Sequence, residues 1–171
     1  TLAEVQQYDR DGYLPARPLM TATRALDLRL RLQAFEESQG MTLGQMPGQM
    51  RAKTHLLLPW MNELVHNPKL LDMVESLLGP DLLVYHVTCW LKEPGDGSFV
   101  SWHQDGTYFH LDPPNRHVTA WVALTDAHQA NGCMRFLPGS HRDGQLHHES
   151  GEIRNNLLSN GQVVDREIDE S

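Results

Sequence analysis

The chain has 171 residues, 40% hydrophobic and 21% charged, close to ordinary globular values and enough for one domain with a real core. Its net charge of −8, from 22 acids against 14 bases, argues against nucleic acid or an anionic membrane as the main partner, because both call for clustered Lys and Arg. No run approaches the ~20 apolar residues that span a bilayer, no signal peptide opens the chain, and a start at Thr1 rather than Met reads as a piece of something longer.

In chain order, "VQQYDRDGYLPARPL" predicts a short helix that breaks at Gly12 and Pro15. Thr21 or Thr23 caps a second helix running to about Ser38, with Leu28, Leu32 and Phe35 at i, i+4 and i+7. The Arg residues between 24 and 31 alternate with Leu and read as its wet side. "GMTLGQMPGQM" (40–50), rich in Gly and Met, reads as a mobile loop. "LPWMNELVHNPKLLDMVESLLG" predicts two helical pieces, with Pro68 in the first turn of the second and Gly79-Pro80 as its stop.

After Pro80 the texture changes. "DLLVYHVTCWLK" is dense in β-branched and aromatic residues and reads as a strand closed by Gly95 and Gly97. "HVTAWVALTD" alternates, "CMRFLPGSH" is a short strand ending in a Pro-Gly turn, and "QVVDREID" begins another. Helices first and strands later predict an α+β chain, mainly β, as a sandwich or barrel packed against N-terminal helices. Cys89 and Cys133 both lie in apolar runs and read as buried free thiols suited to a reducing cytoplasm. No Cys-x-x-Cys pair exists, so a thiolate zinc site is not expected.

The chemistry concentrates in "FVSWHQDGTYF" (99–109). On a strand, residues i and i+2 share a face, so His103 and Asp105 would present a nitrogen and an oxygen donor side by side, with Gln104 pointing the other way. Non-heme Fe(II) oxygenases bind their metal through two His and one carboxylate, leaving positions open for a co-substrate and oxygen. Neutral imidazole and ionised carboxylate, the forms a metal needs, both exist at pH 7. The bland alternative is a surface His bonded to its neighbouring Asp.

The wider context is more specific. "KEPGDGSFVSWHQDGTYF" followed by "VTAWVALTDAHQANGCMRFLPGSH", with "YDRDGYL" and "VESLLGPDLLVYH" upstream, resembles the phytanoyl-CoA dioxygenase family of Fe(II)/2-oxoglutarate oxygenases over nearly the whole chain. Its bacterial small-molecule members are closer than the acyl-CoA enzyme. The resemblance implies a double-stranded β-helix (jelly roll, cupin-like) behind N-terminal helices. It makes 1–171 a single oxygenase domain, with 1–80 its helical part and 81–171 the first strands of the jelly roll.

Carried over by position, His103 and Asp105 match the first two iron ligands. A carboxylate at 105, where related halogenases place a small residue, favours hydroxylation or a related oxidation. Lys53 matches a lysine of the 2-oxoglutarate site, where a cation suits a dicarboxylate; a solvated loop Lys is the alternative. Thr88 and Trp121 match residues lining the co-substrate pocket, against an ordinary strand Thr and a core aromatic. Arg135 reads as structural or substrate-facing, and His141 as a turn residue. His147 and His148 read as a solvated loop pair rather than a third ligand. The family's distal iron-binding His and 2-oxoglutarate-clamping Arg would follow Ser171 in the parent, so the jelly roll is expected to be incomplete at the C-terminus.

The resemblance therefore implies a cytoplasmic dioxygenase that uses Fe(II) and the co-substrate 2-oxoglutarate, takes molecular oxygen, and hydroxylates a small organic molecule at a C–H bond. It implies no nucleic-acid or membrane partner. A truncated or non-catalytic jelly-roll binding protein is the alternative. A zinc hydrolase using His103, Asp105 and His147 or His148 is a third possibility. Acidic charge argues mildly against phosphate-rich CoA esters, and loops 40–50 and 142–160 are candidates for substrate selection.

Overall fold

The computed structural model describes residues 1–113, 116–158 and 160–169, apart from the side chain of Gln49. Its helices are α1 Leu2–Asp11, α2 Ala22–Gln39, α3 Gly48–Ala52, α4 Thr54–Leu57, α5 Pro59–Val65, α6 Pro68–Leu78 and α7 Gly106–Phe109. Short 3-10 turns span Leu43–Gln45, Gln129–Asn131 and Ser140–Asp143. Two strands, β1 His148–Glu149 and β2 Val163–Val164, pair antiparallel with His148 opposite Val164.

Helix ends follow their caps. Thr1 and Glu4 form a reciprocal capping box on α1. Thr21 Oγ1 accepts the Arg24 N–H at 3.2 Å and starts α2. Asn67 Oδ1 accepts the Lys69 N–H at 3.0 Å, Pro68 takes the first position of α6, and Gly79 ends it.

The chain divides into two compact units. One comprises Ala16–Leu91 and Ala120–Cys133. Its core is Leu28 and Leu32 of α2, Leu43, Met46, Leu58, Trp60 and Met61. Arg24 and Arg31 on the outer face of α2 both pair with Asp27, as the wet-side reading expects, whereas Arg29 is half-buried and departs from it. The segment 40–50, read from sequence as a loop, instead folds into a 3-10 turn and α3, with Leu43 and Met46 as buried anchors. Met46 is buried and Met50 packs against the core, while Met41 stays at the surface. Both cysteines are free thiols. Burial pushes the Cys89 thiol up to about 11, against a smaller opposing pull from its bond with Thr54.

The other unit comprises Thr1–Pro15, Lys92–Thr119 and Met134–Ser171. His141 and Arg142 both donate to the Asp9 carbonyl, at 3.1 and 2.9 Å, and the Gly139 N–H donates to Asp11 O at 2.8 Å. These bonds hold the end of α1. Gly12 adopts φ +81°, and a Cβ there would lie 2.3 Å from His141 Nδ1, so both strain and space require glycine. Tyr13 stacks on Phe136 with ring centroids 4.7 Å apart.

The expected mainly-β jelly roll is overturned. Among the described residues, helix dominates, and the sheet is one pair of two-residue strands. Residues 81–91 make a single bridge, Val87 to Lys53, and 117–126 join no ladder. The β-branched and aromatic stretch 81–92 does pack, through Val87, Cys89 and Leu91 against the helical core. β-propensity records fit to a half-buried pleated surface, and here helices supply that surface in place of neighbouring strands. No helix among the described residues is long and apolar enough to cross a membrane.

The core makes a stability prediction on one helix. Leu28 is 1% exposed and Leu26 is 55% exposed. Leu28→Ala is expected to cost about 2–5 kcal/mol, while Leu26→Ala stays within about 0.5 kcal/mol. Urea unfolding of both variants checks the contrast.

Candidate metal centre

The stretch 99–109 is not a strand. Phe99 forms a lone parallel bridge with Asn156, through Phe99 N–H to Asn155 O (3.1 Å) and Leu157 N–H to Phe99 O (2.9 Å). At Asp105 the backbone turns helical (φ −56°, ψ −32°) and opens α7. The same-face rule for strands therefore does not apply, yet the two side chains still meet. His103 Nε2 lies 3.1 Å from Asp105 Oδ1. A turn into a helix converges i and i+2 here, where alternation on a strand was expected to.

Each partner is oriented by a neighbour. His103 Nδ1–H donates to the Ser101 carbonyl at 2.8 Å. A carbonyl only accepts, so Nδ1 carries a proton, and in the neutral ring Nε2 is the nitrogen left with a lone pair. Ser101 is fixed in turn: its hydroxyl donates to Gln162 O at 2.8 Å and accepts from Asn156 Nδ2 at 2.9 Å. Gln162 is itself buried. Asp105 Oδ2 accepts from the Thr119 hydroxyl. The edge of Tyr108 packs on the His103 ring, centroids 5.8 Å apart.

The electrostatics follow from this geometry. Burial pulls the His103 pKa down, but the bond to Asp105, the Ser101 bond and the Asp105 charge together lift it above the ordinary value. Burial pushes Asp105 up, yet its bonds to His103 and Thr119 and the charges of His103 and His117 hold it below the usual carboxylate range. Side-chain exposure is 22% for His103 and 33% for Asp105, so both remain reachable from solvent. A neutral imidazole would aim its Nε2 lone pair at a carboxylate oxygen, acceptor against acceptor. A proton or a metal cation between them removes the conflict. One nitrogen and one oxygen donor so placed suit a divalent first-row metal, and the Ser101 contact is the outer support that metal-binding His residues commonly have. Among the described residues, no third His, Cys, Asp or Glu joins them.

His147 and His148 are not ligands in this arrangement. His147 is exposed. His148 Nε2 accepts the Gln104 N–H at 3.0 Å. Sequence reasoning passed over Ser101, Asn156, Thr119 and His117, because single polar residues carry no spacing signal. Arg135 lies over the Trp102 ring at 5.5 Å.

The other predicted site residues belong to the helical unit. Lys53 Nζ donates to the Tyr85 carbonyl and lies 4.5 Å over the Tyr85 ring. Thr88 Oγ1 bonds His86 Nε2. Lys53 and Thr88 are brought near one another by the Lys53–Val87 bridge. Trp121 is 45% exposed.

With this geometry in place, comparisons identify the chain. The family model described as "Phytanoyl-CoA dioxygenase (PhyH)" matches residues 8–162, and the chain belongs to that family. It is 38% identical over 90 residues to phytanoyl-CoA dioxygenase domain-containing protein 1 of Danio rerio, covering 53% of this chain and 31% of that protein. The Mus musculus protein of the same name is 37% identical over 86 residues, 50% of this chain and 30% of its own length. An ectoine dioxygenase of Bordetella parapertussis is 27% identical over 150 residues, 81% of this chain and 49% of that protein. The chain thus spans a third to a half of the length of these relatives. No solved structure matches it.

The pair makes a pH prediction. A raised His103 pKa stabilises the fold below the ordinary His value and is lost as pH rises through the folded value. A lowered Asp105 pKa stabilises above the ordinary Asp value and is lost as pH falls through the folded value. The metal-free pair is therefore expected to contribute most between about pH 4 and 6.5. On the metal reading, Mn(II) would displace the His103 proton, and its affinity is expected to rise about tenfold per pH unit below the His103 pKa. Calorimetric titration at several pH values checks this, and Asp105→Asn should lower the His103 pKa read by NMR.

Proposed function

We propose that this chain is an Fe(II)/2-oxoglutarate-dependent dioxygenase domain that hydroxylates a small organic molecule at a C–H bond. The observation that carries the reading is the facing of His103 Nε2 and Asp105 Oδ1 at 3.1 Å, with the opposite ring nitrogen committed to Ser101. Family membership and the likeness to an ectoine dioxygenase support it. His103 and Asp105 hold the metal. Lys53, Thr88 and Trp121 serve the co-substrate, with the Lys53 ammonium matched to a carboxylate of 2-oxoglutarate.

Iron(II) and 2-oxoglutarate, held by these residues, would supply the oxidation of the substrate C–H bond. The chain's own residues orient and support. Ser101 holds the His103 ring in one tautomer. Thr119 holds the far oxygen of Asp105, so that Oδ1 faces the metal position. Asp105 itself occupies space that a chloride would need, which favours hydroxylation over halogenation. The net charge of −8 suits a substrate without a polyphosphate-like tail better than a CoA ester.

A second reading is a metal-binding protein without turnover, favoured by the absence of a third donor among the described residues. One experiment separates the two. The protein is incubated with Fe(II), 2-oxoglutarate, ascorbate and a panel of small organic substrates, and succinate is measured. Turnover that falls at least ~100-fold in His103→Ala and Asp105→Ala supports the dioxygenase. Metal binding that depends on His103 and Asp105, with no succinate across the panel, supports the second reading. Metal binding indifferent to both substitutions sinks both.

A further inference from the structure

The residue between the two candidate ligands is gripped by a closed set of hydrogen bonds. Gln104 N–H donates to His148 Nε2 at 3.0 Å. His148 Nδ1–H donates to Leu146 O at 3.0 Å. Leu146 N–H returns to Gln104 Oε1 at 2.7 Å, and Gln104 Nε2 donates to Gly144 O at 2.9 Å. Gln145 Nε2 adds bonds to Gln104 Oε1 (3.1 Å) and Thr107 Oγ1 (2.8 Å). His148 is set from the other side by its pairing with Val164 in the β1–β2 ladder.

This arrangement has a specific consequence. The 103–105 backbone has no ladder of its own; the entry of α7 takes the Gln104 carbonyl through the Thr107 N–H at 3.0 Å, but no helix or ladder bond fixes the N–H of the His103–Gln104 peptide. Its orientation decides where both side chains leave the backbone. The His148 ring fixes the N–H of that peptide, and the Gln104 side chain ties the same residue to 144–146. His148 accepts through Nε2 because its Nδ1–H is spent on Leu146, so it is the neutral Nδ1–H tautomer.

We propose that His148 is a positioning residue for the metal centre, acting through the Gln104 amide to hold His103 and Asp105 at ligand spacing. The proposal rests on the reading of those two residues as ligands. It assigns the histidine that spacing alone would nominate as a third ligand to an outer supporting role. Outer supports of this kind typically change metal affinity about 10- to 100-fold.

The test uses the whole chain, Mn(II) as probe, and two readouts: Mn(II) affinity by calorimetry, and exchange of the Gln104 amide by NMR without metal. His148→Ala is expected to accelerate Gln104 exchange and weaken Mn(II) at least ~10-fold. His148→Gln, whose carbonyl can accept the same N–H, is expected to recover affinity to within about threefold of the parent. Gln104→Ala keeps the amide but loses the side-chain bonds, and gives an intermediate loss; with His148→Gln it carries the test if His148→Ala does not fold. Parental Mn(II) affinity in His148→Ala, or unchanged Gln104 exchange, overturns the proposal. So does a loss in His148→Gln as large as in His148→Ala, because that marks a ligand. Binding that ignores His103→Ala removes the metal centre itself, a failure visible in a variant that leaves His148 intact.

Discussion

Two hydrogen-bond acceptors set 3.1 Å apart form the constraint on which this site depends. Ser101 takes the only ring proton a neutral His103 has, and Asp105 offers only oxygen lone pairs at pH 7. Between them a positive centre must sit, either a proton or a cation. The lifted His103 pKa and the lowered Asp105 pKa are the proton's version of that statement. The metal reading is the cation's version, and the same geometry serves both. What distinguishes this pair from an ordinary surface His–Asp contact is the restraint around it. Ser101 is held by Asn156 and by the carbonyl of buried Gln162, and Asp105 by Thr119. Restraint of this order is not needed to hold a surface ion pair, which contributes little.

Much of the helical half was legible. Caps are local chemistry, so Thr21, Pro68 and Gly79 marked boundaries that the structure keeps. Leu28 and Leu32 were found by period alone because a helix carries its own hydrogen bonds wherever it packs. The later half was read less well. A strand's identity lies in its partner, which no single segment encodes. The β-branched and aromatic density of "DLLVYHVTCWLK" read as a strand, but could not say that helices rather than strands would cover it. The Gly- and Met-rich 40–50 was misread for a related reason: composition suggested looseness, while Leu43 and Met46 had a core to enter.

The candidate pair shows a different relation between sequence and structure. The convergence of His103 and Asp105 was expected from strand geometry and arises from a helix entry instead. Spacing of two is compatible with both, so the residues were legible and their backbone was not. The supporting residues were invisible because their roles depend on long-range pairing: Asn156 with Ser101, Thr119 with Asp105, His148 with Gln104. Only folding reveals which single polar residues are spent on which backbone groups.

A site built on irregular backbone has a thermodynamic consequence. Ladders and helices share cost among many backbone bonds, whereas 101–104 is held by single bonds involving side chains: Ser101 with Asn156 and Gln162, and Gln104 with 144–148. Such segments open locally at lower free energy than a helical core. On the metal reading, a cation bound by His103 and Asp105 would favour the ordered arrangement of those side chains, and ordering them would favour the cation, by the same factor in each direction. On that reading, metal affinity and the order of 144–148 are one coupled quantity. A change that loosens the segment must appear as weaker metal binding even where it touches neither ligand. On that reading the coupling gives Gln145, exposed at the surface, a role that packing does not supply.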